Sequence, residues 1–206
     1  MMKKGRESIG LLPPYIFIVS EGTKTEPYYI KEMAGKINSK FYNYTQSDRI
    51  KIHGAARNTL NLLEYTRKQV EKEMPEAQIV WLLYDKDSFP EDDFDNTQFS
   101  AEGKQDKRKY KVAWSNECFE LWLLLHFQDM DSNTGRRHCR EILRKYIPDF
   151  EKGSDDIYER LKDKTKDAIR RAKKQYKSYP ANCAPSKMCP ATRVYELVEF
   201  LQKYID

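Results

Sequence analysis

Four short apolar runs, separated by segments of helical or turn-like character, constrain the fold of this chain more than any other feature. The runs lie at residues 15–19, 49–53, 78–85 and 110–114. They are rich in β-branched and aromatic side chains, which is typical of buried strands. Helix-like segments follow the first, second and fourth runs, at residues 28–38, 58–74 and 116–127. This alternation predicts an α/β fold built on a mostly parallel, doubly wound sheet of about four strands.

The rest of the chain carries no further strand signal. Residues 85–109 are acidic and rich in turn formers, so we expect short helical pieces there at most. Beyond residue 131 the periodicity predicts only helices, at 136–146, 155–178 and 192–205. The second of these has a thin apolar stripe, and we expect it to be long, basic and protruding. We therefore predict an α/β core at residues 10–130, with a basic helical annex at 131–206 packed on it in a single compact unit.

Composition narrows the class of protein. A third of the 206 residues are charged, and no apolar run approaches the roughly 18 residues that a membrane-spanning helix needs. The first residues show no signal peptide, so we expect a cytoplasmic protein with no membrane partner. The four cysteines form no C-x-x-C pair and have no histidine at zinc-like spacing, which favours free thiols in a reducing compartment.

Charge is unevenly distributed along the chain. Residues 136–177 hold 15 lysines and arginines against 8 acids, whereas residues 85–95 hold six acids and one lysine. A basic segment beside an acidic pocket suits a metal-dependent enzyme that acts on a polyanion. A solvated surface explains the same counts, and the charges alone leave the two interpretations open.

Acidic residues follow two of the predicted strands. Glu21 comes after the first, and Asp85 and Asp87 end the third. Alternate residues of an extended chain point the same way, so we expect Asp85 and Asp87 to present their carboxylates side by side. In an open α/β sheet, sites form beyond the carboxyl ends of strands. Carboxylate pairs with room for water suit Mg²⁺, and a third acid can move a proton or bind a second ion. Turn formation by the D-x-D unit, and a favourable helix-entry position for Glu21, are the structural alternatives.

The segment after the first strand is not a nucleotide loop. Gly22-Thr-Lys-Thr25 has one glycine where G-x-x-x-x-G-K-[ST] has two. A phosphate loop also presents backbone N–H donors at the strand tip, and here the strand tip carries Glu21. An acid in this position makes sense if a metal ion separates it from a phosphate.

Taken in order, the motifs resemble those of the RloB-like family. They are E21-G-T-K-T-E26-P-x-Y29, G54-x-x-R-N-T59, Y84-D-K-D87, the long block S115-N-E-C-F-E-L-W-L-L-L-H-F127, and a terminal T192-R-V-Y-E-L-V helix. The resemblance covers nearly the whole chain, and the long block is its most specific part. Glu117 replaces a proline that is usual after S-N, and residues 55–57 (Ala-Ala-Arg) replace glycines that are common before N-T.

The resemblance implies a TOPRIM-like fold and Mg²⁺-dependent phosphodiester chemistry, with Mn²⁺ as a substitute ion. Asp85 and Asp87 would hold the metal, and Glu21 would act as general acid/base or second-metal ligand. Glu26 and Glu120 match acids of the family pattern, Glu120 as a catalytic candidate and Glu26 as a substrate contact. RloB-like proteins are similar to nuclease effectors of phage-defence or restriction-linked loci, often beside a partner ATPase.

Several other residues are candidates on their position alone. Lys24 and Lys86 flank the acids, where they neutralise a substrate phosphate or simply pair with the carboxylates. His53 ends the second strand. Arg57 and Asn58 open the following helix, and the N-terminus of a helix can bind a phosphate. His126 lies between apolar neighbours, which favours a hydrogen-bonded core histidine over a base. Glu120, in an apolar helix, is either a first-turn acid bound by its own helix or an acid beside the metal.

These observations favour a metal-dependent endonuclease that cuts RNA or DNA. The principal alternative is a non-catalytic binding or sensing subunit that acts through a partner ATPase. A phosphotransfer receiver domain fits poorly, because it needs a single acceptor aspartate and a distant lysine. The sequence leaves the oligomeric state open, with a homodimer among the alternatives.

Overall fold

The structure is a computed structural model that describes residues 11–56, 59–87, 89–103, 107–133 and 135–205. Its centre is one five-stranded sheet in the order β2-β1-β3-β4-β5. The first four strands are parallel, and β5 is antiparallel to β4. The strands are β1 (Ile16–Ser20), β2 (Ile50–Gly54), β3 (Ile79–Asp85), β4 (Lys109–Asn116) and β5 (Ala191–Thr192). The predicted α/β class with a mostly parallel sheet is confirmed.

Helices cover both faces of this sheet. They are α1 (Thr25–Thr45), α2 (Thr59–Glu73), α3 (Glu91–Gly103), α4 (Glu120–Leu124), α5 (Gly135–Tyr146), α6 (Ile157–Leu161), α7 (Thr165–Lys177) and α8 (Val194–Ile205). Within the described ranges, none of these helices is both long enough and apolar enough to cross a membrane.

Alternate side chains of each strand enter two separate hydrophobic cores, as the pleat of a strand requires. On one face, Ile16 and Ile18 of β1 belong to a core with α1, α8 and the helices α4 to α7. On the other face, Phe17 and Val19 belong to a core with α2 and α3. The central strands are apolar on both faces because each face is covered by helices.

The acidic stretch after β3 contains a helix that the sequence reading missed. Only short helical pieces were predicted for residues 85–109, yet α3 runs for 13 residues. Three of its acids, Glu91, Asp92 and Asp93, lie in the first turn, where the positive end of the helix dipole favours them. Phe94, Thr97 and Ala101 form the buried stripe. In the sequence, the many charged residues around this narrow stripe obscure its helical periodicity.

The prediction of one long protruding helix at residues 155–178 was wrong. The segment bends through a short 3₁₀ turn at Lys162–Lys164, which separates α6 from α7. Both halves pack on the protein, with Ile157 and Leu161 buried in α6 and Ala172 buried in α7. The interruption lets two short apolar stripes reach the same core, while charged residues of both signs remain outside.

A fifth strand was also not predicted. Residues 191–192 pair with Ser115 and Asn116 of β4, and the Ser115 and Thr192 hydroxyls are 3.0 Å apart. Two residues are too few to show any periodicity in a sequence. Through β5, the segment after residue 131 contributes to the sheet as well as to the helical layer.

The strand order places a topological switch point between β1 and β3. The chain leaves β1 through α1 towards β2 on one side, and leaves β3 through α3 towards β4 on the other. Helices at such a point diverge, which opens a crevice at the carboxyl ends of the two strands. Glu21 immediately follows β1 and Asp85 is the last residue of β3, so the fold puts both acids at this crevice.

Candidate active site

A cavity of about 280 Å³ opens at the carboxyl ends of β1 and β3. Four acids line it together with two cations and several small or apolar residues. The lining residues are Glu21, Gly22, Glu26, Ala56, Leu83, Tyr84, Asp85, Asp87, Phe89, Arg136 and Lys152. Of the candidate acids, the fold thus gathers Glu21, Glu26, Asp85 and Asp87 in one place, from segments more than 60 residues apart.

Glu21 is held against the end of β3. Its backbone N–H donates to Leu83 O at 2.8 Å, and its carboxylate accepts the Asp85 N–H at 3.2 Å. Burial raises the pKa of Glu21 to about 7, with the nearby charges of Glu26 and Asp87 adding to the shift and the hydrogen bond from Asp85 opposing it. A carboxyl with a pKa near neutrality can both accept and donate a proton under physiological conditions.

Asp85 is the most enclosed acid of the site. Its Oδ2 accepts the Phe119 N–H at 3.1 Å and lies 3.5 Å from the Arg136 guanidinium, while its Oδ1 is buried with no hydrogen-bond partner among the described residues. Burial, followed by the charges of Glu26 and Glu120, raises the pKa of Asp85 well above its ordinary value. A buried carboxylate oxygen without a partner is costly, and a cation would relieve that cost.

Asp87 reaches the cavity by a different route from the one the sequence suggested. The D-x-D spacing was read as alternation along an extended chain, but β3 ends at Asp85 and Asp87 has a φ of +40°. A left-handed backbone, fixed by the Asp87 N–H donating to Glu117 O at 2.9 Å, turns its carboxylate to Arg136 at 2.7 Å. Asp85 and Asp87 therefore share one guanidinium.

Glu26 lies under the loop that follows β1. A Cβ at residue 22 would stand 2.5 Å from Glu26 Oε2, so Gly22 leaves the space that this carboxylate occupies. That oxygen is buried without a partner among the described residues. Burial raises the pKa of Glu26, while its own backbone N–H and the charge of Lys152 oppose the shift. The glycine after β1 thus makes room for an acid as well as for a turn.

Arg136 and Lys152 are the two charged cavity residues that sequence reasoning did not select. Both come from the segment after residue 131, where they were noted only as part of a basic stretch. Arg136 lies at the start of α5, which packs on α4 next to the end of β4. No local spacing connects Arg136 with acids 49 and 51 residues earlier, so only the three-dimensional packing reveals the contact.

Glu120 lies behind the cavity, not on its surface. It is buried in the first turn of α4, and its Oε1 accepts a 2.6 Å hydrogen bond from Arg140 Nε. Burial acts to raise its pKa, but the hydrogen bond and charge of Arg140 outweigh that effect and leave the pKa of Glu120 below its ordinary value. The nearby Cys118 has a raised pKa, because its thiol is hydrogen-bonded to the thiol of Cys139 and is buried. Glu120 is thus a charged acid that anchors α5.

The remaining predicted contacts are spread around the site. Lys24 is exposed and lies against Gly153, and the Lys86 ammonium donates to Phe89 O. His53 bonds Tyr65 Oη at 2.7 Å and pairs with Glu73 at 3.0 Å, on the far side of β2. None of these three lines the cavity. Arg57 and Asn58 lie outside the described residues.

His126 is a core residue in this structure. It is 2% exposed, its Nδ1 lies 3.0 Å from Trp122 O, and its Nε2 lies 3.3 Å from the Tyr29 hydroxyl. Burial lowers the pKa of His126 to about 4. Its burial keeps the imidazole neutral at physiological pH, in agreement with the interpretation that it is a hydrogen-bonded core histidine.

The donor set of the cavity fits a hard divalent cation. Carboxylate oxygens are the ligands that Mg²⁺ prefers, and Asp85 Oδ1 and Glu26 Oε2 have no other partner in the described structure. Within the same ranges, no three acid, histidine or cysteine side chains are already positioned to hold a metal together. Arg136 instead supplies positive charge to Asp85 and Asp87.

The family model described as RloB-like protein matches residues 16–201 of the chain. The protein therefore belongs to the RloB-like family, as the sequence motifs predicted. No curated protein and no solved structure matches it. Glu117, which replaces the usual proline of the family pattern, follows a cis peptide bond with Asn116.

Proposed function

We propose that the protein is an Mg²⁺-dependent nuclease of TOPRIM type that hydrolyses phosphodiester bonds in RNA or DNA. The observation that carries the proposal is the convergence of Glu21 and Asp85 at the switch point of the sheet, where Asp85 keeps a buried oxygen without a partner. Membership of the RloB-like family agrees with this proposal. The unusual cost of burying so many acids together argues for a functional role.

Five of the six charged residues that line the cavity have a part in this proposal. Asp85 and Asp87, with Glu21 at the edge, would hold the ion. When bound, Mg²⁺ neutralises phosphate charge and makes a bound water more acidic. Glu21 accepts a proton from the attacking water, and its pKa near 7 suits that role. Arg136 and Lys152 stabilise the additional negative charge that the phosphate develops during attack.

In this proposal Arg136 has two alternative partners, the acids of the cavity and a phosphate of the substrate. In the structure its guanidinium bridges Asp85 and Asp87. A bound cation would take over that charge balance and free Arg136 for a phosphate oxygen, which a planar guanidinium binds in bidentate fashion. Glu120 acts indirectly as a positioning residue, because its bond to Arg140 fixes the helix that carries Arg136.

The biological setting belongs to the proposal as well. We place the protein in the cytoplasm, as the nuclease effector of a phage-defence or restriction-linked system with a partner ATPase. The resemblance of its motifs to those of the family supports this setting.

The direct test is cleavage of RNA and DNA panels with Mg²⁺ or Mn²⁺. We expect Asp85→Asn to abolish cutting and Glu21→Gln to slow it about 10²–10⁴-fold, the usual contribution of a general base. Asp92→Asn and Glu76→Gln are the matched controls, because both acids are exposed and distant from the cavity. Metal-dependent cleavage that survives Asp85→Asn and Glu21→Gln would contradict the proposal.

One observation favours a second candidate, a non-catalytic sensing subunit that acts through a partner ATPase. Arg136 neutralises Asp85 and Asp87 within the protein itself, as a purely structural ion pair would. This candidate predicts no cleavage of any substrate with either ion. It also predicts that Arg136→Gln destabilises the fold whether or not Mg²⁺ is present, whereas a metal site predicts that Mg²⁺ restores stability to this variant.

A further inference from the structure

Helix α5 carries a row of arginines that begins at the acidic cavity. The helix contains five basic residues and one acid. Its buried side consists of Cys139 and Leu143, which pack into the core. A second concavity, of about 540 Å³, lies along the outer side of the helix and is lined by Arg136, Arg137, Arg140, Glu141 and Arg144. We call these five residues the arginine groove.

The arginine groove is continuous with the candidate active site. Arg136 lines both cavities, so a molecule in the groove would meet the carboxylates at the Arg136 end. Arg136, Arg140 and Arg144 lie four residues apart, which spaces them about 6 Å apart along one helix face. This spacing is comparable to that of successive phosphates along a nucleic-acid strand.

The outer part of the groove contains two arginines, Arg137 and Arg144, that acids of the core do not hold. Arg136 and Arg140 are held by acids of the core, but Arg137 is 95% exposed and meets only the flexible Glu141, at 3.1 Å. Arg144 is exposed and makes no ion pair within the described ranges. Because acids of the core already balance Arg136 and Arg140, Glu141 faces Arg137 and Arg144 alone, and the outer end of the groove keeps a net positive charge.

Several cations of the basic helix α7 are held by other groups of the protein. In α7, Arg171 donates to Leu125 O at 2.7 Å, and Lys173 pairs with Glu199 at 2.6 Å. Arg170 pairs with Asp167 at 3.0 Å in the preceding turn. The cations of α7 are thus distributed among separate structural contacts, whereas those of α5 share one concavity.

We infer that the arginine groove binds the phosphate backbone of a nucleic-acid strand and leads it into the acidic cavity. This inference rests on the proposed nuclease function and adds the path of the substrate. The lining residues favour a polyphosphate over an acidic protein, because the groove offers guanidinium groups and no apolar or aromatic anchor of the kind that protein interfaces need. Binding of this kind is independent of sequence and sensitive to salt.

The test measures binding without cleavage. Fluorescence anisotropy of labelled oligouridylate and oligothymidylate is recorded in EDTA over a series of salt concentrations. We expect Arg137→Gln and Arg144→Gln each to weaken binding several-fold and to reduce the slope of log affinity against log salt by about one. Arg170→Gln is the matched control, since it also removes one exposed arginine paired with an acid on the same helix.

The outcomes separate the groove from the catalytic proposal. Loss of binding in the two groove variants, with Arg170→Gln binding normally, supports the groove even if no cleavage is ever observed. Wild-type affinity in the double variant Arg137→Gln/Arg144→Gln would overturn the groove while leaving the nuclease proposal intact. Equal losses in Arg170→Gln would also overturn it, as would equally tight groove-dependent binding of polyglutamate, which would indicate an acidic protein partner.

Discussion

Burial gives individual ionisable residues of this protein quite different roles. Glu21 and Asp85 are pushed towards their protonated forms beside a cavity, whereas Glu120 remains charged because Arg140 compensates for its burial. His126 is held neutral in the core. These ionisable residues thus separate into a candidate proton carrier, a candidate metal ligand, an anchor and a packing residue, according to what surrounds each one.

Glu21 should make stability depend on pH in EDTA. Its folded pKa of about 7 exceeds the ordinary 4.5, so its ionisation destabilises the fold increasingly as pH rises from 4.5 to 7, with no further change above. We compare the free energy of unfolding of Glu21→Gln with that of the wild type. The difference should shift in favour of the variant by about 1–2 kcal/mol between pH 5 and pH 8, after allowance for solvent screening. Urea unfolding at both pH values measures the difference. An unchanged difference would contradict the raised pKa.

The contribution of His126 to stability should depend on pH in the opposite direction. Its folded pKa of about 4 is below the ordinary 6.5, so its contribution is complete above pH 6.5 and is lost as pH falls towards 4. The advantage of the wild type over His126→Gln should shrink by about 2 kcal/mol between pH 7.5 and pH 5. Chemical denaturation of both proteins tests this, and an advantage that stays constant over this range would show that His126 does not titrate as proposed.

At the scale of elements, the site depends on where a few segments begin. The loop after β1 accommodates Glu26 because residue 22 lacks a side chain, and the start of α5 brings Arg136 to the acids. Gly135, the first residue of α5, has a φ of +67°, a conformation that other residues adopt only at a cost. The entry to α5 therefore depends on glycine for its backbone and on Arg136 for its contacts.

Gly135→Ala should lower the free energy of unfolding by about 1 kcal/mol, because the left-handed conformation disfavours a Cβ. The cost is conformational, since an added Cβ would meet only Glu117 Oε2 at an ordinary 3.5 Å. Gly35→Ala is the control within α1, where an added Cβ meets nothing within 4 Å. That substitution should stabilise by about 0.5–1 kcal/mol through helix propensity. Equal effects in the two variants would contradict this account.

On the scale of the whole molecule, residues 10–130 and residues 131–206 share one hydrophobic interior. The core on the α1 face includes Ile18 and Trp81 of the sheet as well as Leu161 and Leu201 of the last third of the chain. The short strand β5 extends the sheet from the same last third. Neither region buries its apolar surface without the other, so we expect them to unfold together.

Leu161→Ala and Leu82→Ala should therefore destabilise one and the same unfolding transition. Both side chains are fully buried, and each substitution should cost about 2–5 kcal/mol. All three tryptophans belong to the α/β part, and two of them pack against the last third of the chain, Trp81 on Phe200 and Trp114 on Tyr176, so their fluorescence reports on the contact between the two regions. If Leu161→Ala left the fluorescence midpoint unchanged while circular dichroism showed an earlier transition, the two regions would be independent domains.

The sequence by itself determined the α/β class, the four parallel strands, the family and the edge of the sheet where the acids meet. Those features follow from local periodicity and from the rule that parallel strands present their carboxyl ends together. Only the tertiary structure decided that Arg136 and Lys152 enter the cavity, that Glu120 stands behind it, and that His53 lies away from it. These placements depend on packing between distant segments, which leaves no periodic signal in either one.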